Sequence, residues 1–429
     1  MLELTIGQVM ILLTILSVIL FVSGVSIALV FGIWAVGFTY FSPIFPFVNM
    51  SLVAFNELNT FPFVAIPIFI VVGSLINKVG MATRIIDFTR SIGGWLPGST
   101  GNTCIYTAGV FSAITGSNAA TTASVGEALY DDLVDEGYDE DFAAATIASG
   151  GTLGIIIPPS VLFIIYGITF GVSVSQLFIV GTIPGIMMMI SLSATASIIA
   201  YRRGYGTSEF SFSVRNILQS TWGARNAFIT IGLLIGGIFL GVFTPSESAA
   251  VAFTYILGVG LFGSSIQNLR ELVEPFLTSI QVMGMIIPIF VSSVMIQQGL
   301  SFFNLQTVVA DLIMSLGHPA LIFVGMIVVM LISGSILDSV PNMILTAPLL
   351  APAAFSLGLD PLTWAVVFMI SDAIGFITPP YGLNLYIISG MVDLDYIDVA
   401  YAALPYLVAL CIVWILFFAF PELNVLSPV

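Results

Sequence analysis

Long apolar runs separated by short polar ones set the pattern of this chain. Ile6 to Val22, Ala227 to Phe243 and Ala402 to Phe420 are each near or above the ~18 apolar residues that suggest a membrane span. The same pattern predicts crossings at about residues 5–22, 25–43 and 61–77, then 176–200, 227–243, 246–266, 273–298 and 400–420. Residues 92–130 and 313–355 are apolar but interrupted by Gly, Ser and Asn, and each is expected to dip into the bilayer and return on the same side. Residues 142–170 and 363–391 are expected to cross as helices broken near the middle. Polar stretches are short and no Pro-rich or Ser-rich linker divides the chain, so the expectation is one all-α polytopic membrane domain with an internal division.

Composition agrees. The 429 residues are 58% hydrophobic and 7% charged, where a soluble domain carries about 25% charged residues, so lipid rather than water is the main solvent. Glu3 precedes the first apolar run where a cleaved signal would have positive charge, so the first span is expected to stay. Cys104 and Cys411 lie in apolar segments, and His318 has no Cys or His cluster near it; disulfide, redox, metal-dependent hydrolytic and triad chemistry have little to work with, and no enzyme is expected. The net charge of −15 comes largely from acidic loops such as Asp131 to Asp141, which disfavours nucleic acid as a partner. Trp95, Trp222 and Trp414 fall near expected span ends and read as interface anchors, and Thr244-Pro245-Ser246-Glu247 reads as a helix-starting capping box.

The chain is written twice. Ile66-Pro67-Ile68-Phe69 recurs as Ile287-Pro288-Ile289-Phe290, 221 positions on (67 to 288). Gly154 through Pro158-Pro159 pairs with Gly375 through Pro379-Pro380, and Gly137-Tyr138-Asp139 with Gly358-Leu359-Asp360, at the same offset. Gly116-Ser117 and Gly334-Ser335 match at 218. Lys78, Arg84 and Arg90 follow the first copy of the Pro67 span, whereas its second-copy equivalent, residues 299–311, has no basic residue. Arg202, Arg203, Arg215 and Arg225 fill the junction between the copies, and Arg270 stands apart. Since Lys and Arg concentrate in cytoplasmic loops, equivalent loops are expected on opposite sides, which is an inverted-topology repeat. The expected division is 1–205 for the first repeat, 206–226 for a cytoplasmic junction and 227–429 for the second repeat, with both termini outside. Under this scheme the acidic stretches Asp131 to Asp141 and Asp393 to Asp398 both fall inside, against little weight in the rule.

Each copy contains two places where a helix cannot continue: Thr115-Gly116-Ser117-Asn118 and Gly150 through Ser160 in the first, Ser333 through Ser339 and Ser371 through Pro380 in the second. Backbone freed at that depth is tolerated only against protein or a water-filled cavity. Pro-Pro pairs leave carbonyls unpaired, which suits sodium, while half-helix N-termini suit an anionic substrate. Packing or kinking alone would account for one such break more easily than for four at matched positions. No Lys or Arg lies between 91 and 201 or after 270, so hydroxyls, amides, dipoles and bound cations would have to hold a substrate carboxylate. Asp338 and Asp372 are acids in apolar surroundings and are functional candidates.

The motifs Gly150-Gly151-Thr152-Leu153-Gly154-Ile155-Ile156-Ile157-Pro158-Pro159-Ser160, Gly241-Val242-Phe243-Thr244-Pro245-Ser246-Glu247 and Thr378-Pro379-Pro380-Tyr381-Gly382 resemble those of the large membrane subunit of tripartite ATP-independent periplasmic (TRAP) transporters, over nearly the whole chain. The resemblance implies a bacterial or archaeal cytoplasmic membrane, a small four-helix membrane subunit and a periplasmic solute-binding protein as partners, and an ion-transporter-like elevator fold in contact with lipid. It further implies sodium-coupled import of a small organic acid with two or more Na+ as coupling ions and no other cofactor. Carried over, one sodium would lie among Gly116, Ser117, Asn118, Gly151 and Gly154, and a second among Gly334, Ser335, Asp338, Gly375 and Thr378. Ser117, Asn118, Thr152, Ser160, Ser335, Asp372, Thr378 and Asn384 become the substrate candidates. The chain departs from the family pattern at Asn118, at Lys78 where Gly is frequent, and at the acidic pair Ser371-Asp372. The alternative is a stand-alone sodium-dependent carboxylate carrier needing no binding protein.

Overall fold

The structure, a computed structural model, describes residues 6–41, 47–206, 213–263, 266 and 268–423, and among them every regular element is helical. Six helices are long and apolar enough to cross a membrane: Phe61–Lys78, Val174–Arg203, Pro245–Phe262, Arg270–Phe302, Pro319–Ile336 and Tyr396–Ala419. A seventh arises if Val214–Gly223 and Arg225–Phe239, bent by 70° at their junction, count together. Ile6–Val22 and Ile27–Phe41 are shorter apolar helices, joined where the Trp34 indole donates to Thr14 Oγ1 at 3.2 Å. Residues 5, 42, 43, 264 and 265 at the ends of expected spans lie outside the described residues, as does part of the junction, 207–212.

Four helices go beyond the sequence expectation, among them Phe47–Leu58 and, in the junction, Val214–Gly223. Met81–Gly93, expected as loop, is an amphipathic helix burying Met81, Ile85 and Thr89 at four-residue spacing; Leu305–Met314 occupies the corresponding place in the second half. The hairpins consequently begin later than expected. The first is Ser99–Thr115 with Asn118–Asp135, and the second is Pro319–Ile336 with Ser339–Ser356. Pro at the first helical position and a capping residue before it start three of the helices: His318 before Pro319, Asp360 before Pro361, and Thr244 before Pro245 with the full capping box to Glu247.

The element spacing reproduces the offset read from the motifs. Asn118–Asp135 and Ser339–Ser356 are 221 positions apart at both ends, and Val161–Phe170 and Leu383–Val392 are 222 apart at both ends. Both Pro158-Pro159 and Pro379-Pro380 bonds are cis. The helices carrying Pro67 and Pro288 pack against each other in opposite directions: Phe63 meets Phe290 at 5.5 Å between ring centroids, Ser279 donates to the Pro67 carbonyl at 2.9 Å, and Lys78 pairs with Glu274.

Arg84 and Arg225 line one surface cavity next to Lys78, which marks a basic face. Besides Lys78 with Glu274, Arg90 pairs with Asp132 at 2.6 Å and Arg203 with Asp139 at 2.8 Å, so the acidic stretch Asp131 to Asp141 is partner to this basic face. Tyr205 also donates to Asp139, and its burial followed by that bond pushes its hydroxyl pKa up. The deepest packing lies between the broken helices and Tyr396–Ala419. There Phe142 stacks on Tyr406 at 5.5 Å and the Tyr406 hydroxyl bonds Thr146 at 2.8 Å. Trp414 is not the interface anchor expected: it is buried, and its indole donates to the Val367 carbonyl at 2.9 Å. Trp95 and Trp222 are exposed, as anchors require.

Candidate functional site

The first hairpin turns at Gly116, whose φ of 60° favours a residue without Cβ; Ser117 then caps the second limb by accepting from the Ala120 amide at 3.4 Å. Facing this tip is the break in the first broken helix, where Glu140–Gly151 passes into a 3₁₀ turn over Thr152–Ile155 and restarts as Val161–Phe170. The Val161 amide donates across to the Gly116 carbonyl at 3.2 Å. Gly154 lies so close that a Cβ there would stand 2.6 Å from the backbone of Ser117 and Asn118.

The second half repeats the arrangement. The Tyr381 amide donates to the Ser335 carbonyl at 3.1 Å, and a Cβ on Gly375 would stand 2.3 Å from the Gly334 carbonyl oxygen. In each half, then, one main-chain hydrogen bond and one glycine contact hold a hairpin tip against the break of its partner helix. These bonds pair hairpin-tip carbonyls with amides freed at the helix breaks, groups that would otherwise lack partners in an apolar medium.

A buried polar bridge ties the first site to the second half. Asn118 Nδ2 donates to Asn384 Oδ1 at 3.0 Å, and Asn384 Nδ2 donates to the Ala148 carbonyl at 3.0 Å. Thr122, whose hydroxyl bonds the Asn118 carbonyl at 2.9 Å, packs against Gly151 where a Cβ would meet its Oγ1 at 1.8 Å. In the second site Asn342 Nδ2 donates to Asp372 Oδ1 at 2.9 Å, both residues being buried, while Asp372 Oδ2 and Asn342 Oδ1 make no hydrogen bond of good geometry. A buried carboxylate with no basic residue in the last 159 positions of the chain (271 to 429) makes this region attractive to a cation.

The structure thus brings together Gly116, Ser117, Asn118, Gly151, Gly154 and Asn384 at one tip, and Gly334, Ser335, Gly375 and Asp372 at the other. Thr152, Ser160 and Thr378 stand at the same breaks, with their hydroxyls bonded to the carbonyls of Ser149 at 2.6 Å, Ile155 at 2.8 Å and Ile374 at 2.7 Å. Asp338 is the half-buried cap residue of Ser339–Ser356. Sequence reasoning passed over Thr122 and Asn342. Their signal was a polar side chain in the first turn after a hairpin tip, directly opposite the glycine or acid of the facing helix. Among the described residues no three His, Cys, Asp or Glu converge as a metal site, which leaves backbone carbonyls, amides and hydroxyls as the main oxygen donors.

The family described as the DctM component of tripartite ATP-independent periplasmic transporters matches residues 10–423. The chain belongs to that family. It is 28% identical to the isethionate TRAP transporter permease protein DctMQ of Oleidesulfovibrio alaskensis, covering 90% of this chain and 61% of that longer relative. It is 30% identical to the sialic acid TRAP transporter large permease protein SiaM of Vibrio cholerae, over 86% of this chain and 87% of the relative. It is 31% identical to the 2,3-diketo-L-gulonate TRAP transporter large permease protein YiaN of Escherichia coli, over 88% and 89%. The crystal structure of the Alcanivorax borkumensis YdaH transporter shares the fold at a TM-score of 0.59 and 13% identity, covering 88% of this chain and 89% of that one. This DctM-family chain is therefore a multi-pass membrane permease component and not an enzyme.

Proposed function

We propose that the chain is the sodium-coupled translocation subunit for a small organic acid, delivered by a periplasmic solute-binding protein and carried with a small membrane subunit as partner. The observation that carries this reading is the matched pair of hairpin tips, each pinned by a backbone bond to a broken helix: Val161 to Gly116 and Tyr381 to Ser335. The antiparallel packing of the Pro67 and Pro288 helices supports two inverted repeats, since equivalent segments then run in opposite directions. The basic face marked by Arg84 and Arg225 supports a cytoplasmic assignment for that face and external termini.

Two or more sodium ions accompany the substrate in this reading. One binds at the Gly116 to Asn118 tip with Gly151 and Gly154, and another at the Gly334 to Asp338 tip with Gly375 and Thr378. Ser117, Asn118, Ser335, Asp372 and Asn384 border the space left to the substrate. The repeats move the two tips as one body in an elevator stroke. Sodium supplies the drive: each charge moving inward gains ~2.3 kcal/mol per 100 mV. Two sodium ions with a monoanion leave one net positive charge to be driven.

Reconstitution with the binding protein and small subunit tests the reading. Uptake is expected to need both partners, a sodium gradient and an inside-negative potential. Electroneutral uptake overturns the proposed stoichiometry, and full uptake by this chain alone favours a stand-alone carrier. Asn118→Ala is expected to weaken sodium activation more than substrate affinity; unchanged sodium activation removes Asn118 from the ion site.

A further inference from the structure

A cavity of about 400 Å³ opens on the basic face, away from the hairpin tips. Its walls are the start of the Met81–Gly93 helix with Gly80 and Arg84, the bend at Ala224 with Arg225 and Asn226, and Val259 and Gly263 at the end of Pro245–Phe262. Among the described residues no acidic one lines it. Arg84 has Asp87 at 3.7 Å, an exposed and weak partner, and Arg225 has no carboxylate within 4 Å among the described residues. Instead Arg225 donates to the Trp222 carbonyl at 3.0 Å and lies 5.3 Å over its ring. The cavity is therefore a pocket with two positive charges and no internal counter-charge, and no side chain caps the helix start at Gly80.

What adjoins the cavity decides between a soluble anion and a lipid. The Val214–Gly223 helix leads into the bend and presents Val214, Leu218 and Trp222 at four-residue spacing, the last two 66% and 71% exposed. Phe262, next to Gly263 of the wall, is 93% exposed. An amphipathic helix with an apolar stripe and basic neighbours lies in the plane of a membrane interface. The charged pocket is thus continuous with surface suited to acyl chains.

We propose that this cavity holds the phosphate headgroup of an anionic phospholipid, with Arg84 and Arg225 on the phosphate and the chains along the Leu218, Trp222 and Phe262 surface. Such a lipid joins the Met81–Gly93 helix, which packs on the first hairpin, to the helices Arg225–Phe239 and Pro245–Phe262. It ties the hairpin's support to the surrounding frame at the basic face.

Native mass spectrometry of the detergent-solubilised full chain with palmitoyl-oleoyl phosphatidylglycerol or phosphatidylcholine tests this. The wild type should retain phosphatidylglycerol preferentially, and the Arg84→Gln/Arg225→Gln double variant should bind it roughly 30-fold more weakly, since two cations are lost at an anionic surface. The Arg84→Lys/Arg225→Lys variant should keep most of the binding and guards against misfolding of the glutamine variant. Arg215→Gln/Arg270→Gln, which removes two basic charges outside the cavity, should leave retention unchanged. Equal loss in both glutamine pairs would reduce the effect to general surface charge and overturn the site. So would equal retention of the two lipids, or displacement of phosphatidylglycerol by inorganic phosphate at millimolar concentration, the mark of a soluble-anion site.

Discussion

A single methyl group is too much for Gly154. Its Cβ would stand 2.6 Å from three backbone atoms of Ser117 and Asn118, which cannot swing aside as a side-chain end can. Gly154→Ala is therefore expected to cost about 1–3 kcal/mol, typical of overpacking, and to abolish uptake by displacing the tip. Melting in detergent and transport in vesicles read the two effects. Gly258→Ala is the control, because nothing lies within 4 Å of a Cβ there and it sits inside the Pro245–Phe262 helix; its uptake should match the wild type and its melting should be equal or slightly higher. Glycines at the breaks were legible from sequence because a glycine beside a proline pair in an apolar run is hard to explain as span. The hydroxyls were less so. Whether Ser160 or Thr152 turns to a ligand or to a local carbonyl depends on which carbonyls the break frees, and both take backbone oxygens here.

The link between hairpin and broken helix can be cut at one residue. Val161 is the first residue of its helix, where proline is well tolerated, and Ser160 before it is extended at φ −124° and ψ 131°, as a residue before proline should be. Val161→Pro removes the donor to Gly116 and sets its ring toward that carbonyl. The expected result is a loss of about 1 kcal/mol in stability, with faster hydrogen exchange confined to the tip around Gly116 to Asn118. Exchange rates unchanged at the tip would mean the bond does not hold it. The hairpins and broken helices were readable as elements because their interruptions are abrupt and matched. Met81–Gly93 was not, since thirteen residues of mixed polarity beside a basic cluster resemble a loop unless the four-residue spacing of Met81, Ile85 and Thr89 is followed; Leu305–Met314, ten residues without a basic neighbour, is too short to read as a span.

On the scale of the whole molecule, the opposed run of the Pro67 and Pro288 helices makes an external test possible. Single cysteines at Asp87 and Asp311, in a background lacking Cys104 and Cys411, should react with an impermeant maleimide from opposite sides of a sealed vesicle. Labelling of both from one side would leave a parallel duplication. The offset near 221 residues was visible in the motifs alone, and the element ends reproduce it. Burial was harder to read: Trp414 looked like an anchor at a span end, but it sits against Val367 because the broken-helix segment Pro361–Gly375 packs against Tyr396–Ala419.

Beside the Asn118–Asn384 and Asn342–Asp372 side-chain pairs, each tip is fastened by a main-chain bond and by the missing side chain of a glycine. The main-chain and glycine part of that latch is indifferent to most exchanges among neighbouring side chains. Evolution can therefore re-specify the payload while keeping the chassis, and relatives near 30% identity whose names carry substrates as unlike as sialic acid and 2,3-diketo-L-gulonate fit that freedom.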